Sequence, residues 1–302
     1  MELSFWALAL LITKLGIYLG YIAAVGGMSI VFMLDSTKGN LGSGFRQYLW
    51  TLSSLALIST GLAFFVQVGA LANSGWSGMW HTLFRSILWN STVGESTLMR
   101  IIGFALMLIV LTAFHIPAKI KQRTWFRALL FALWLIALYA LMASFSLIGH
   151  TAELNIRVQI ALSLHVLVVA WWMGGLWPLW LSCKELDSEG LHSLMHRFGQ
   201  LAQVAVAVLI ATGVFLAIQL LGSVSALWLT DYGQIFLLKL VGVSAILLIG
   251  LYHKVRLTPE LISKPESSYR LARSIQIEMF VGLLVLLTTA VLTTLVGPSH
   301  AL

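Results

Sequence analysis

Histidine, glutamate and lysine side chains that fall inside apolar runs are where this sequence could do chemistry, because no water is at hand to satisfy them there. His165 sits among Leu162, Leu164, Val166 and Leu167, and its imidazole serves either as a metal or substrate ligand or as a hydrogen-bonding link between helices. His150 closes the preceding apolar run. Met142, Ser146 and His150 are spaced i, i+4, i+8 and so share one helical face. His81 and His300 supply two further imidazoles, and the chain has 10 methionines. Imidazole and thioether together are the donor set that suits copper, especially the monovalent ion. The candidate metal ligands are therefore His150 and His165, with His81, His300 and Met142 behind them.

Glu278, Lys239 and Lys14 are the charged candidates deeper within apolar runs. Glu278 falls about two turns into the last run, where it can pair with a cation, relay protons or bond a neighbouring helix. Lys239 can neutralise a carboxylate. Lys14, like any lysine near a helix end, can snorkel to the interface. The remaining histidines read more plainly. His192 and His196 are four residues apart in a polar stretch and read as solvated. His115 and His253 fall at helix ends, where a cation complements the dipole.

The elements that must position these residues are transmembrane helices. The chain has 302 residues, of which 59% are hydrophobic and 10% charged, against about a quarter charged in a soluble domain. Eight apolar runs are long enough to cross a bilayer: 5–34, 46–72, 97–116, 125–149, 157–182, 195–221, 232–253 and 271–296. Trp76 to Trp89 is too short and polar to span and reads as an interfacial helix or loop. The expected fold is all-α, a polytopic helix bundle forming a single transmembrane domain over 1–302, with the lipid bilayer as its solvent. The first run is too long for a signal peptide and is expected to be retained.

Thirteen of the 18 Lys and Arg fall in the loops after helices 1, 3, 5 and 7, whereas only Arg85, Arg100 and Arg157 fall on the other side. The positive-inside rule then places both termini outside, in the periplasm of a Gram-negative cell. The net charge of +7 is thus a topology signal, and no nucleic-acid partner is expected. By helical rise, His165 lies about 12 Å below the outer face, Lys239 about 12 Å and Lys14 about 13 Å, one layer shared by three helices. The single Cys183 excludes an internal disulfide and any CxxC motif. No phosphate loop, dinucleotide fingerprint, nucleophile elbow or HExxH is present, so no enzymatic activity is expected.

One stretch has a recognisable pattern: Gly149-His150-Thr151, then His165, Trp172, Gly174-Gly175 and Pro178. It resembles the signature of the copper resistance protein D (CopD) family of bacterial inner-membrane proteins. Arg197-Phe198, Thr212-Gly213, Tyr232-Gly233-Gln234 running to Lys239, and Glu278 agree with it, so that the resemblance covers roughly 145–295. Earlier helices resemble the family in hydropathy and in Gly26-Gly27, with Tyr18 and Tyr21 standing where members often carry a histidine. The resemblance implies copper homeostasis at the inner membrane: uptake from the periplasm, a periplasmic CopC-type copper carrier as donor, and copper as the bound or transported ion. It assigns His150 and His165 to the family's histidines and Lys239 and Glu278 to its buried charges. A haem-binding electron-transfer protein and a metal-free scaffold are the alternatives that the residues leave open.

Overall fold

The structure, a computed structural model, describes residues 5–35, 43–113, 123–147, 155–221, 225–264 and 266–296. His150 and His300 lie outside the described residues, as does His115. No strand occurs among the described residues, and eight helices are long and apolar enough to cross a membrane. They are span 1 (Phe5–Leu34), span 2 (Ser43–Ala72), span 3 (Thr92–Thr112), span 4 (Thr124–Ser146), span 5 (Ile156–Glu185), span 6 (Ser188–Leu221), span 7 (Asp231–Ser263) and span 8 (Ser267–Val296). A helix satisfies its own backbone, which is what a chain in hydrocarbon requires. Hydroxyls within the spans follow the same logic and donate back one turn: Thr60 to the Ala56 carbonyl at 2.8 Å, Thr97 to Val93 at 2.7 Å, Thr289 to Val285 at 2.7 Å.

The Trp-rich stretch does not span. Gly75–Trp80 is a 3₁₀ turn and Thr82–Trp89 a short helix with no buried residue, as its length and amphipathic pattern predict. Several expected ends move outward. Span 6 begins at Ser188, not 195, and span 7 continues past residue 253 through a π turn, His253–Leu257, to Ser263. Polar residues that hydropathy assigns to loops are helical in both cases.

Span 3 also starts earlier than expected, at Thr92, where the Ser91 hydroxyl caps it by accepting from the Val93 N–H at 3.2 Å. Arg100, counted above among the loop residues, is therefore eight residues inside the span, about 12 Å along it.

The chain forms two compact units, divided within span 1 after Ala24 and within span 5 after Ser163. The first unit holds residues 1–24 and 48–163. Span 1 packs there on span 2 through small residues: a Cβ on Gly16 would strike the Ser59 side chain, and one on Gly20 the Ala56 methyl. Spans 3 and 4 are tied by the Ser96 hydroxyl, which donates to the Ser144 carbonyl at 2.8 Å.

The second unit holds residues 25–47 and 164–302, and its core is Ile30, Leu34, Leu176, Leu179, Leu191, Leu194, Phe198, Leu257, Leu271 and Ile275 with their neighbours. The two glycine pairs of the sequence meet in this unit. A side chain at Gly26 would collide with the Ala170 and Trp171 carbonyls and with the Gly174 Cα, while one at Gly175 would press on the Phe198 ring at 2.8 Å. Only glycine lets spans 1, 5 and 6 approach so closely.

Candidate functional site

Within the second unit, span 5 carries His165 and, seven residues later, Trp172. Two helical turns separate them, about 10 Å on one face. They engage different neighbours.

His165 Nδ1 lies 3.1 Å from Thr212 Oγ1 on span 6. The Thr212 hydroxyl donates its hydrogen to the Val208 carbonyl at 2.7 Å, so toward the imidazole it acts as acceptor. That assigns the hydrogen of a neutral His165 to Nδ1 and the lone pair to Nε2, the arrangement in which an outer partner orients a ligating histidine. Gly213 makes room beside it, since a Cβ there would sit 3.3 Å from His165 Cε1. The Thr212-Gly213 pair noted in the sequence thus positions this ring. Lys239 lies on span 7 of the same unit, partly buried and eight residues after Asp231.

Trp172 leads to a second group. Its ring passes beside Gly250 of span 7, and its indole N–H donates to Glu278 Oε1 at 2.7 Å. Glu278 is 1% exposed. Its other oxygen, Oε2, lies 3.4 Å from His253 Nδ1, close enough for ionic attraction, yet no hydrogen bond reaches it among the described residues. His253, itself 6% exposed, places Nε2 2.7 Å from the Ser274 hydroxyl. Ser274 precedes Glu278 by four residues and shares its face of span 8. Span 8 begins at Ser267, so Glu278 is eleven residues along it, about 16 Å and not the two turns expected.

His253 is the residue that the sequence reading missed. It is no cation complementing the dipole at a helix end but a buried partner of the acid within span 7, and that account is corrected accordingly. A signal was present: His253 stands 12 residues before Pro265 and Glu278 13 after it. Span 7 ends at Ser263 and span 8 begins at Ser267, so near-equal spacing from that short connection sets the two side chains at similar depth. Trp172, read only as part of a motif, supplies the N–H that holds the carboxylate.

The other candidates lie apart from both groups in kind. His192 and His196 have rings stacked at 6.0 Å, and His196 Nε2 contacts the exposed Gln200 amide at 3.1 Å, in keeping with solvated side chains. His81, in the first unit, is exposed and packs on Phe84 at 4.7 Å. Met142 is partly buried on span 4, and Lys14 is partly buried on span 1, both in the first unit. That unit carries one more buried cation than expected. The Arg100 Nε donates to the Ser144 hydroxyl at 3.2 Å, and its guanidinium lies 5.3 Å from the Phe145 ring centre. Among the described residues, no three His, Cys, Asp or Glu side chains converge on one metal position.

Comparison with known proteins bears on this arrangement directly. Residues 192–292 match the family described as copper resistance protein D. That match covers about a third of the chain, span 7 and most of spans 6 and 8, and shows a likeness to the CopD family there. The matched stretch contains Thr212, Lys239, His253, Ser274 and Glu278, whereas His165 and Trp172 precede it. The chain is also similar to the copper transport protein CutJ of Bacillus subtilis (strain 168), at 25% identity over 299 residues. That alignment covers 96% of this chain and 52% of CutJ, so the chain spans about half the length of that relative. No solved structure matches it. These likenesses and the eight apolar helices support a copper-related, multi-pass membrane protein, and the eight-helix expectation holds.

Proposed function

We propose that this protein carries copper across the bacterial inner membrane, taking it from the periplasmic side, and that it does so without catalysing a chemical reaction. The observation that carries this reading is His165: an imidazole in an apolar span whose Nδ1 is occupied by Thr212, leaving the Nε2 lone pair as a metal donor. Copper suits such a nitrogen, particularly with thioether partners. The name of CutJ, a copper transport protein, points the same way. With both termini placed outside by the distribution of Lys and Arg, His165 falls in the outer half of the bilayer, and His150 above it is the entry ligand. The resemblance to the CopD family points to a periplasmic CopC-type carrier as the donor.

The test is copper accumulation, measured by elemental analysis in cells expressing the wild type, His165→Ala or His150→Ala at one external copper concentration. Loss of accumulation in both variants, with the proteins present in the membrane at wild-type level, is expected. Unchanged accumulation in the double variant would refute the reading.

A further inference from the structure

Among the described residues Glu278 is the one buried acid, and its one ionic partner is His253. Two arrangements leave this pair neutral: carboxylic acid beside imidazole, or carboxylate beside imidazolium. Both contain the same proton, which differs only in the side of a 3.4 Å gap on which it resides. Removing it leaves a net negative charge in a place that water does not reach, with the Trp172 N–H as its only hydrogen-bond donor. The site therefore calls for one unit of positive charge.

The neighbours decide how a proton gets there. The Ser274 hydroxyl, 2.7 Å from His253 Nε2, both donates and accepts, so it can pass a proton to the imidazole and regenerate itself. Ser274 is partly exposed and one turn nearer the connection between spans 7 and 8. The indole of Trp172 donates only and cannot accept a proton. Charge can thus reach Glu278 by way of Ser274 and His253, and the relay ends at Trp172.

Surrounding charges leave the pair to itself. Span 1 from Val25 to Leu34 has no titratable residue. On span 5, Lys184 lies on the Trp180 ring at 3.8 Å, twelve residues beyond Trp172, and Cys183 adjoins it. On span 6, His192, His196 and Arg197 lie near the helix start, and the stem of Lys254 runs past Gly199. Arg256 of span 7 bonds Glu260 at 3.0 Å, and Arg270 of span 8 bonds the same carboxylate; Arg273 and Tyr269 are exposed. Lys239 stands fourteen residues before His253, about 21 Å along the helix.

We propose that Glu278 and His253 form a single-proton site, loaded through Ser274 from the side on which spans 7 and 8 connect, and that the proton is released as a copper ion crosses the bundle. The coupling rests on the copper-transport reading above; the proton site itself does not. Charge balances for the monovalent ion, Cu(I), since one proton leaves as one positive charge enters.

Two measurements test it. The first is infrared difference spectroscopy of the purified full-length protein during a pH titration without copper. A protonated-carboxyl band that titrates in the wild type should vanish in Glu278→Gln, which keeps an acceptor for Trp172. In His253→Gln its midpoint should shift by about one pH unit, a tenfold change in proton affinity. Size-exclusion profiles matching the wild type establish that both variants are folded. An absent band, or one unchanged in Glu278→Gln, overturns the site.

The second uses proteoliposomes with an internal pH dye and external copper. Copper entry should be matched by proton exit, and the proton signal should disappear in Glu278→Gln. Copper entry with no proton movement in the wild type overturns the coupling and leaves the transport reading intact. No copper entry in the wild type removes the transport reading, and the infrared titration then decides the proton site alone.

Discussion

Arg100 in the first unit and Glu278 in the second are both charged residues inside spans, but their surroundings differ in kind. Arg100 faces a hydroxyl and an aromatic ring, partners that stabilise a permanent cation and have no proton to exchange with it at ordinary pH. Glu278 faces an indole N–H, fixed in its donor role, and an imidazole, which can carry a proton or a lone pair, and one of its oxygens accepts no hydrogen bond. The same contrast runs through the remaining polar groups. In the first unit, Ser96, Ser144 and Trp134 bond backbone carbonyls, the last reaching the Ala24 oxygen at 3.0 Å. In the second, where hydroxyls such as Thr289 also bond backbone, side chains meet side chains as well: Trp172 with Glu278, His253 with Ser274, His165 with Thr212. Bonds to backbone hold helices together. Bonds among titratable side chains change whenever one partner gains or loses a proton or a metal.

Substitutions can break this contrast, and the largest effect is expected at Glu278. Glu278→Ala strands the Trp172 N–H and His253 in an apolar core and should destabilise the fold by about 3–5 kcal/mol. The readout is thermal unfolding in detergent; wild-type stability would place Glu278 with ordinary surface charges. Next comes Gly26→Ala, whose methyl meets backbone on span 5 and should cost about 1–3 kcal/mol by overpacking. Gly61→Ala is its control, because nothing lies within 4 Å of a Cβ there, and it should be neutral or slightly stabilising. Ser144→Ala removes the Arg100 acceptor and should lower stability by about 1.5–3 kcal/mol while copper accumulation per folded molecule stays at wild type. A selective loss of accumulation in that variant would erase the distinction between the units. The smallest stability change is expected for Thr212→Val, about 1 kcal/mol, accompanied by a fall of about 10-fold or more in copper affinity because His165 loses the partner that fixes its tautomer.

Hydropathy made the eight spans legible, because nothing but a long apolar helix suits these runs, and the Trp-rich stretch forms only a 3₁₀ turn and a short helix, as expected of a segment too short to span. Ends were harder. Ser188 to Leu194 and Lys254 to Ser263 are polar enough to read as loops, yet they continue their helices and bury Leu191, Leu194, Leu257 and Leu261. The placement of Arg100 failed for the same reason. Helix rotation was hidden altogether: a span that is apolar on every side gives no stripe to show which face meets protein. That is why His165 could be singled out as an intramembrane ligand while its partner Thr212 could not. It is also why His253 passed for a helix end, although its spacing about Pro265 held the register of spans 7 and 8.

The π segment in span 1, Ala23–Gly27, has a consequence for chain length. A π turn holds one residue more than an α turn, so this short stretch stores a single extra position. Deleting one residue there would restore a regular helix and leave everything beyond it in nearly the same rotational phase, because four α residues turn the chain about as far as five π residues. Ile30 and Leu34 would keep facing the core that they share with Trp172. A deletion of the same size in the regular helix between the π segment and Ile30 would instead swing both residues by about 100° and carry them out of that core. Single-residue deletions inside and outside the π segment are therefore a sharper probe of span 1 than any side-chain exchange, since they test the phase of the helix and leave its composition almost untouched.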